Sequence, residues 1–204
     1  MLLARKLTAW DKTVLWTNYR LIEAQRNPRT VSEESIIYDS TGAGLSTKST
    51  IEYDGDLTQT DTPLNVKRST SYAFAVVSGG TSIMPNSAPA ASPTQGVTLT
   101  ATRISETDFL YTSTDPNLAS LKTACGNQNM RFLPITSRVN SPNGIIQSQS
   151  KINYDDVNYS TFGRCNATSA SVWDSTKGLV TDTNAYLTTR AKFDIYNEPQ
   201  KLDR

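Results

Sequence analysis

Two pairs of aspartates are the residues in this chain best spaced for chemistry. Asp54 and Asp56 flank Gly55, and Asp155 and Asp156 follow Tyr154. Glycoside hydrolysis uses two carboxyl groups about 5 to 10 Å apart across a sugar-binding cleft. The same hard oxygen ligands hold Ca²⁺, although the spacing of an EF-hand loop is absent. Asp-Gly-Asp is also an ordinary turn, because glycine takes positive φ and aspartate bonds the neighbouring backbone. Turn chemistry is therefore the expectation.

The rest of the usual catalytic set is missing. The 204 residues include no histidine, while Ser and Thr fill 50 positions. That excludes Ser-His-Asp and Cys-His catalysis, a histidine base and histidine-ligated metals. Neither a G-x-S-x-G elbow nor a G-x-x-x-x-G-K-[ST] phosphate loop occurs, and Gly42-Ala43-Gly44 lacks the third glycine of a dinucleotide loop. Cys125 and Cys165 are the only cysteines. A secreted disulfide scaffold has a denser set, so two buried thiols are expected rather than a bridge. Two thiols without an imidazole fall short of the four ligands of structural zinc. No cofactor and no enzymatic activity are expected. The sequons Asn158-Tyr159-Ser160 and Asn166-Ala167-Thr168 are what chance gives in so polar a chain.

Charge is segregated although the net charge is +1. Residues 1–31 carry a net +4 and residues 32–63 a net −6. Arg5, Lys6, Trp10, Trp16 and Arg20 in the basic stretch, with Glu33 and Glu34 in the acidic one, are the expected contacts between subunits. Complementary potentials of this kind set orientation and association rate more than affinity. The basic and aromatic residues are too few for strong nucleic-acid binding.

The elements that must position these residues read as β-structure. Residues 9–27 make the best helix candidate, with Val14, Leu15, Asn18, Tyr19 and Ile22 at helical spacing, though Leu15, Thr17, Tyr19 and Leu21 also alternate as in a strand. Asn27-Pro28 is expected to end that element. Strands are expected at Ser35–Asp39 and Thr50–Tyr53 around a loop from Ser40 to Thr47, then over Leu64–Ser78. Residues 81–95 hold three prolines and no charge, the composition of an extended loop. Val97, Leu99 and Ala101 alternate with threonines, and Phe109 and Tyr111 mark a further strand. Asp115-Pro116 opens a short helix near 116–124. Ser141-Pro142-Asn143-Gly144 joins two strand-like runs as a hairpin. Trp173 and Ala185–Tyr196 close the chain, with Phe193 and Tyr196 available to the core.

The fold class is thus all-β, an antiparallel sandwich or barrel. Residues 1–31 read as an N-terminal arm or packing helix ahead of a single β-rich body over 32–204. No apolar run approaches the ~20 residues that span a bilayer, so no membrane association is expected. No apolar segment of signal length follows Arg5 and Lys6, so synthesis in the cytosol is expected. Composition favours a structural subunit that assembles with copies of itself and other particle proteins in a virion, a bacteriophage foremost. An extracellular fibre or pilus subunit, and a carbohydrate-binding module or glycosidase using the Asp pairs, are the alternatives.

Overall fold

The computed structural model describes the backbone of residues 3–15, 24–38, 44–54, 65–77 and 98–200, with side chains over 29–37, 44–54, 65–76 and 98–200. These residues are mostly antiparallel β-sheet with one short α-helix, as the composition implies. The chain divides into two compact units: residues 1–62 with 68–104, and residues 63–67 with 105–204. Among the described residues no helix is long and apolar enough to cross a membrane. Residues 81–95, the expected Pro-rich loop, lie outside the described residues.

In the first unit, Leu3–Leu15 (β1), Ala24–Tyr38 (β2) and Gly44–Tyr53 (β3) form an antiparallel meander. Val66–Tyr72 (β4) and the start of Ala101–Phe109 (β6) continue it, and Ala75–Val77 (β5) pairs with β3. Of the helix expected over 9–27, residues 16–23 lie outside the described residues. The described parts, residues 9–15 and 24–27, are strand, as the alternative reading of this segment has it. Asn27-Pro28 does not end the element. Asp11 pairs with Arg29 and Thr13 with Arg26, leaving Asn27 and Pro28 opposite Lys12 alone. Such a bulge tolerates a residue that has no N–H to give the ladder. Residue 31 lies inside β2. Of the loop expected from Ser40 to Thr47, Gly44 to Thr47 belong to β3, and residues 40–43 lie outside the described residues.

Adjacent side chains of β2 point to opposite faces, as the two-residue period requires. Glu34 and Ile36 are buried, while Ser35 and Ile37 are exposed. Ile36 sits opposite Ser46, whose hydroxyl donates to Glu34 Oε1 at 2.8 Å. Ile36 and Ile104 are the buried aliphatics described here. Arg29 is buried with its guanidinium 5.4 Å from the Tyr53 ring centre, and register sets Asp11 across from it. The Tyr53 hydroxyl donates to Thr30 O at 2.8 Å.

The second unit continues from the end of β6 through Pro134–Asn140 (β7), Ile146–Tyr154 (β8), Ala167–Trp173 (β9) and Tyr186–Arg190 (β10), in that spatial order. Lys192–Phe193 (β11) and Pro199–Gln200 (β12) pair separately. β6 is one strand where the sequence suggested two: it begins at Ala101 and ends at Phe109, with Thr98 to Thr100 outside it, and Val97 lies outside the described residues. The β7–β8 hairpin is as expected. Ser141 N–H donates to Ile145 O at 2.8 Å, and Gly144 takes φ +82°. The short helix is also as expected. Asp115 Oδ1 accepts from Asn117 N–H at 2.9 Å to cap a 3-10 turn, Pro116–Leu118, that leads into Ala119–Asn127 (α1).

Register sorts the sheet of this unit into two faces. Thr136, Arg138, Gln149, Lys151, Ser171 and Thr188 share one. That face is a polar lattice. Arg138 pairs with Glu106 at 3.6 Å and with Asp108, and Asn140 donates to Glu106 at 2.7 Å. Gln149 donates to the Tyr186 hydroxyl at 2.9 Å, and Lys151 Nζ lies 4.5 Å from that ring's centre. The opposite face carries Ile152, Ala170, Val172 and Leu187. The core is small: Leu110, Leu121, Cys125 and Cys165, with Leu118, Met130, Leu133, Ile135 and Tyr154 packed against it.

Tyr154 is half-buried, and its hydroxyl donates to Pro134 O at 2.9 Å. Burial pushes its pKa from 10.0 up to about 12. The neutral phenol is thus held in the folded chain over a range where the unfolded chain ionises it. Its contribution to stability is intact below pH 10 and is lost as the pH rises from 10 to about 12. Urea titrations across that range are expected to show the decline, and Tyr154→Phe to remove this part of it.

Candidate assembly surface

The loop that follows β8 is built around one buried carboxylate. A bulge at Asn153/Tyr154 ends the β8–β9 ladder, and Asp155 then takes φ +51°. Its Oδ2 accepts from the N–H groups of Gly163 and Cys165, both at 2.8 Å. Its Oδ1 accepts from Asn166 N–H at 2.9 Å and the Ser160 hydroxyl at 3.3 Å. Ionised aspartate is acceptor-only and offers about four lone-pair sites. Asp155 therefore closes the loop with nearly its whole accepting capacity. Asp155 N–H donates in turn to Asn166 O at 3.0 Å.

This loop is fastened to α1. Cys125 and Cys165 form a disulfide with a Cα–Cα distance of 5.8 Å across 40 residues of sequence. The expectation of two free thiols is corrected here, although both sulfurs are buried as expected. The sequence showed only their separation. The β7–β8 hairpin and the turn closed by Asp155 bring Cys165 back onto the helix. Gln128 Nε2, at the helix end, also donates to Gly163 O.

The two aspartates that follow Tyr154 have different surroundings. Asp155 is buried and fully engaged, whereas its neighbour Asp156 is exposed and caps a turn by accepting from Asn158 N–H at 2.9 Å. Asp54 is buried at the end of β3, while Gly55 and Asp56 lie outside the described residues. Cys125, Cys165 and Asp155 offer ligand atoms within 4.8 Å of one another. In the bridged form the sulfurs are bonded together and the carboxylate is taken, so this grouping holds no metal.

The expected contact residues fall in the first unit. Arg5, Lys6 and Trp10 lie on β1, where only the backbone is described, and Trp16 and Arg20 lie outside the described residues. Lys6 registers with Ser35, Leu7 with Glu34 and Thr8 with Glu33. Glu34 is enclosed within its own unit, and Glu33 is half-buried.

The exposed apolar side chains are the feature that sequence reading missed. In the first unit Ile37, Leu45 and Val76 stand in register across β2, β3 and β5, exposed by 50%, 44% and 73%. In the second, Val172 and Leu187 pair across β9 and β10, both exposed. The Asp155 loop holds out Val157, 81% exposed, and Phe162. The turn at 194–198 holds out Ile195 and Tyr196, so Tyr196 is not a core residue. Phe193 N–H donates to Tyr159 O at 2.7 Å and Asn166 donates to Asn197 at 3.2 Å, which ties that turn to the loop. Single exposed apolar residues are ordinary, whereas contiguous exposed apolar patches call for an explanation. Adjacent Ile36 and Ile37 could have given the signal, since a period of two must turn one of them outward.

No family model matches this chain, and neither a curated protein nor a solved structure matches it.

Proposed function

We propose that this protein is a non-enzymatic structural subunit that assembles with copies of itself, as a particle protein of the virion class with a bacteriophage as its setting. The observation that carries the reading is the cross-strand row Ile37–Leu45–Val76, three large apolar side chains held in register on an outward face. Covering such a row removes apolar surface from water at roughly 25 cal/mol per Å². The polar lattice on β6 to β10 uses its acids and cations in binding one another, as a scaffold does. On this reading Arg5, Lys6, Trp10, Trp16 and Arg20 meet acidic surface of a neighbouring copy.

The disulfide favours a second setting within the same class. Bridges persist outside the reducing cytosol, which suits an extracellular fibre subunit as well as a released particle.

Leu45→Lys tests the reading. The side chain is exposed, so the fold tolerates the change, with stability expected to stay within about 0.5 kcal/mol. Association measured by sedimentation is expected to weaken at least tenfold. Unchanged association would remove this row from the interface.

A further inference from the structure

We propose that Asp155 and the Cys125–Cys165 bridge form a redox-responsive clasp, with Asp155 acting as the positioning residue that presents Cys165 to Cys125. Its consequence for assembly rests on the function proposed above, because the same loop displays Val157 and Phe162.

Cys165 takes φ +61°, a left-handed conformation that is unfavourable for a residue other than glycine. Two constraints hold it there. One is the Asp155 carboxylate, which takes the N–H groups of Cys165 and Asn166, on either side of the Cys165 α-carbon. The other is the bond to Cys125. Each constraint lowers the entropy lost in forming the other, so the two are thermodynamically coupled. Asn166 also donates to Ser160 at 3.0 Å, and Ser160 donates to Asp155, which closes the ring of bonds inside the loop.

Access follows from burial. Both sulfurs are enclosed in the core cluster with Leu110 and Leu121. A thiol reagent reaches them only when the loop lifts from α1, and the Asp155 hydrogen bonds oppose that opening. The clasp therefore closes in an oxidising setting and resists brief exposure to reductant. Closure with glutathione disulfide balances simply. One cysteine thiolate attacks the reagent disulfide and expels one glutathione. The second cysteine then displaces the other glutathione from the mixed disulfide. The protein loses two electrons and two protons, and two molecules of glutathione are formed.

The test uses the full chain equilibrated in glutathione buffers of graded ratio, with the bridged fraction read by alkylation and intact mass. Amide exchange at 163–166 and sedimentation are followed in the same samples. Reduction is expected to speed exchange at Gly163, Cys165 and Asn166 at least tenfold more than it speeds exchange in β7 and β8. Asp155→Asn is expected to require at least tenfold more oxidising buffer for half-closure. Should Asp155→Asn not fold, Ser160→Ala removes one of the four donors and is expected to shift the midpoint two- to threefold in the same direction. Unchanged loop exchange on reduction, or a midpoint identical to the parent in the variant that folds, overturns the clasp. A clasp that opens as expected in a protein that is monomeric in both states supports the clasp and contradicts the assembly reading.

Discussion

Asp155→Ala is expected to destabilise the second unit by about 3–5 kcal/mol. The substitution strands three backbone N–H groups, those of Gly163, Cys165 and Asn166, and leaves the Ser160 hydroxyl without its acceptor. Each buried donor left unsatisfied costs about 1–3 kcal/mol. Water entering the space left by the carboxylate offsets part of the total, which keeps the sum near the lower half of the range. Asp155→Asn is expected to cost less, about 2–3 kcal/mol, because one oxygen still accepts while the amide meets donors with a donor. Amide exchange of β7 and β8 under increasing urea reads the stability of this unit directly. A loss below 1 kcal/mol for Asp155→Ala would mean that the carboxylate does not organise the loop.

The second large effect belongs to the bridge. Replacing both Cys125 and Cys165 by alanine is expected to cost about 4 kcal/mol, the chain-entropy value for a closed loop of this length. The core here is small, so it has little else with which to hold α1 against the sheet. The two effects should not add. Both act on Cys165, so the triple variant is expected to be more stable than the sum by about 1–2 kcal/mol. Simple additivity would show that carboxylate and bridge act on separate parts of the loop.

Much of the fold was legible because its signals are local. Asn143-Gly144 between two alternating runs makes a hairpin by turn geometry alone, and Asp115-Pro116 caps and starts a helix within four residues. The all-β class followed from the same short-range alternation. What was not legible depends on distant residues meeting. Cys125 and Cys165 are brought together by a hairpin and a turn between them, and no local pattern records that. Asp155 and Asp156 looked alike in sequence, yet one is turned into the loop and the other into solvent. Pro28 misled in the opposite direction. It is a strong local stop signal, and a bulge opposite Lys12 absorbs it. The apolar surface was hidden for a third reason: Val157, Phe162, Ile195 and Tyr196 have the composition of a core and the position of a surface.

On the proposed function, copies of this chain meet through apolar side chains held outward on ordered strands and turns. Sedimentation of the oxidised protein over a hundredfold range of concentration, with electron microscopy of the same samples, tests that most directly. Discrete symmetric particles, rings or tubes are the result it predicts. A species that remains a monomer at the highest concentration would contradict it.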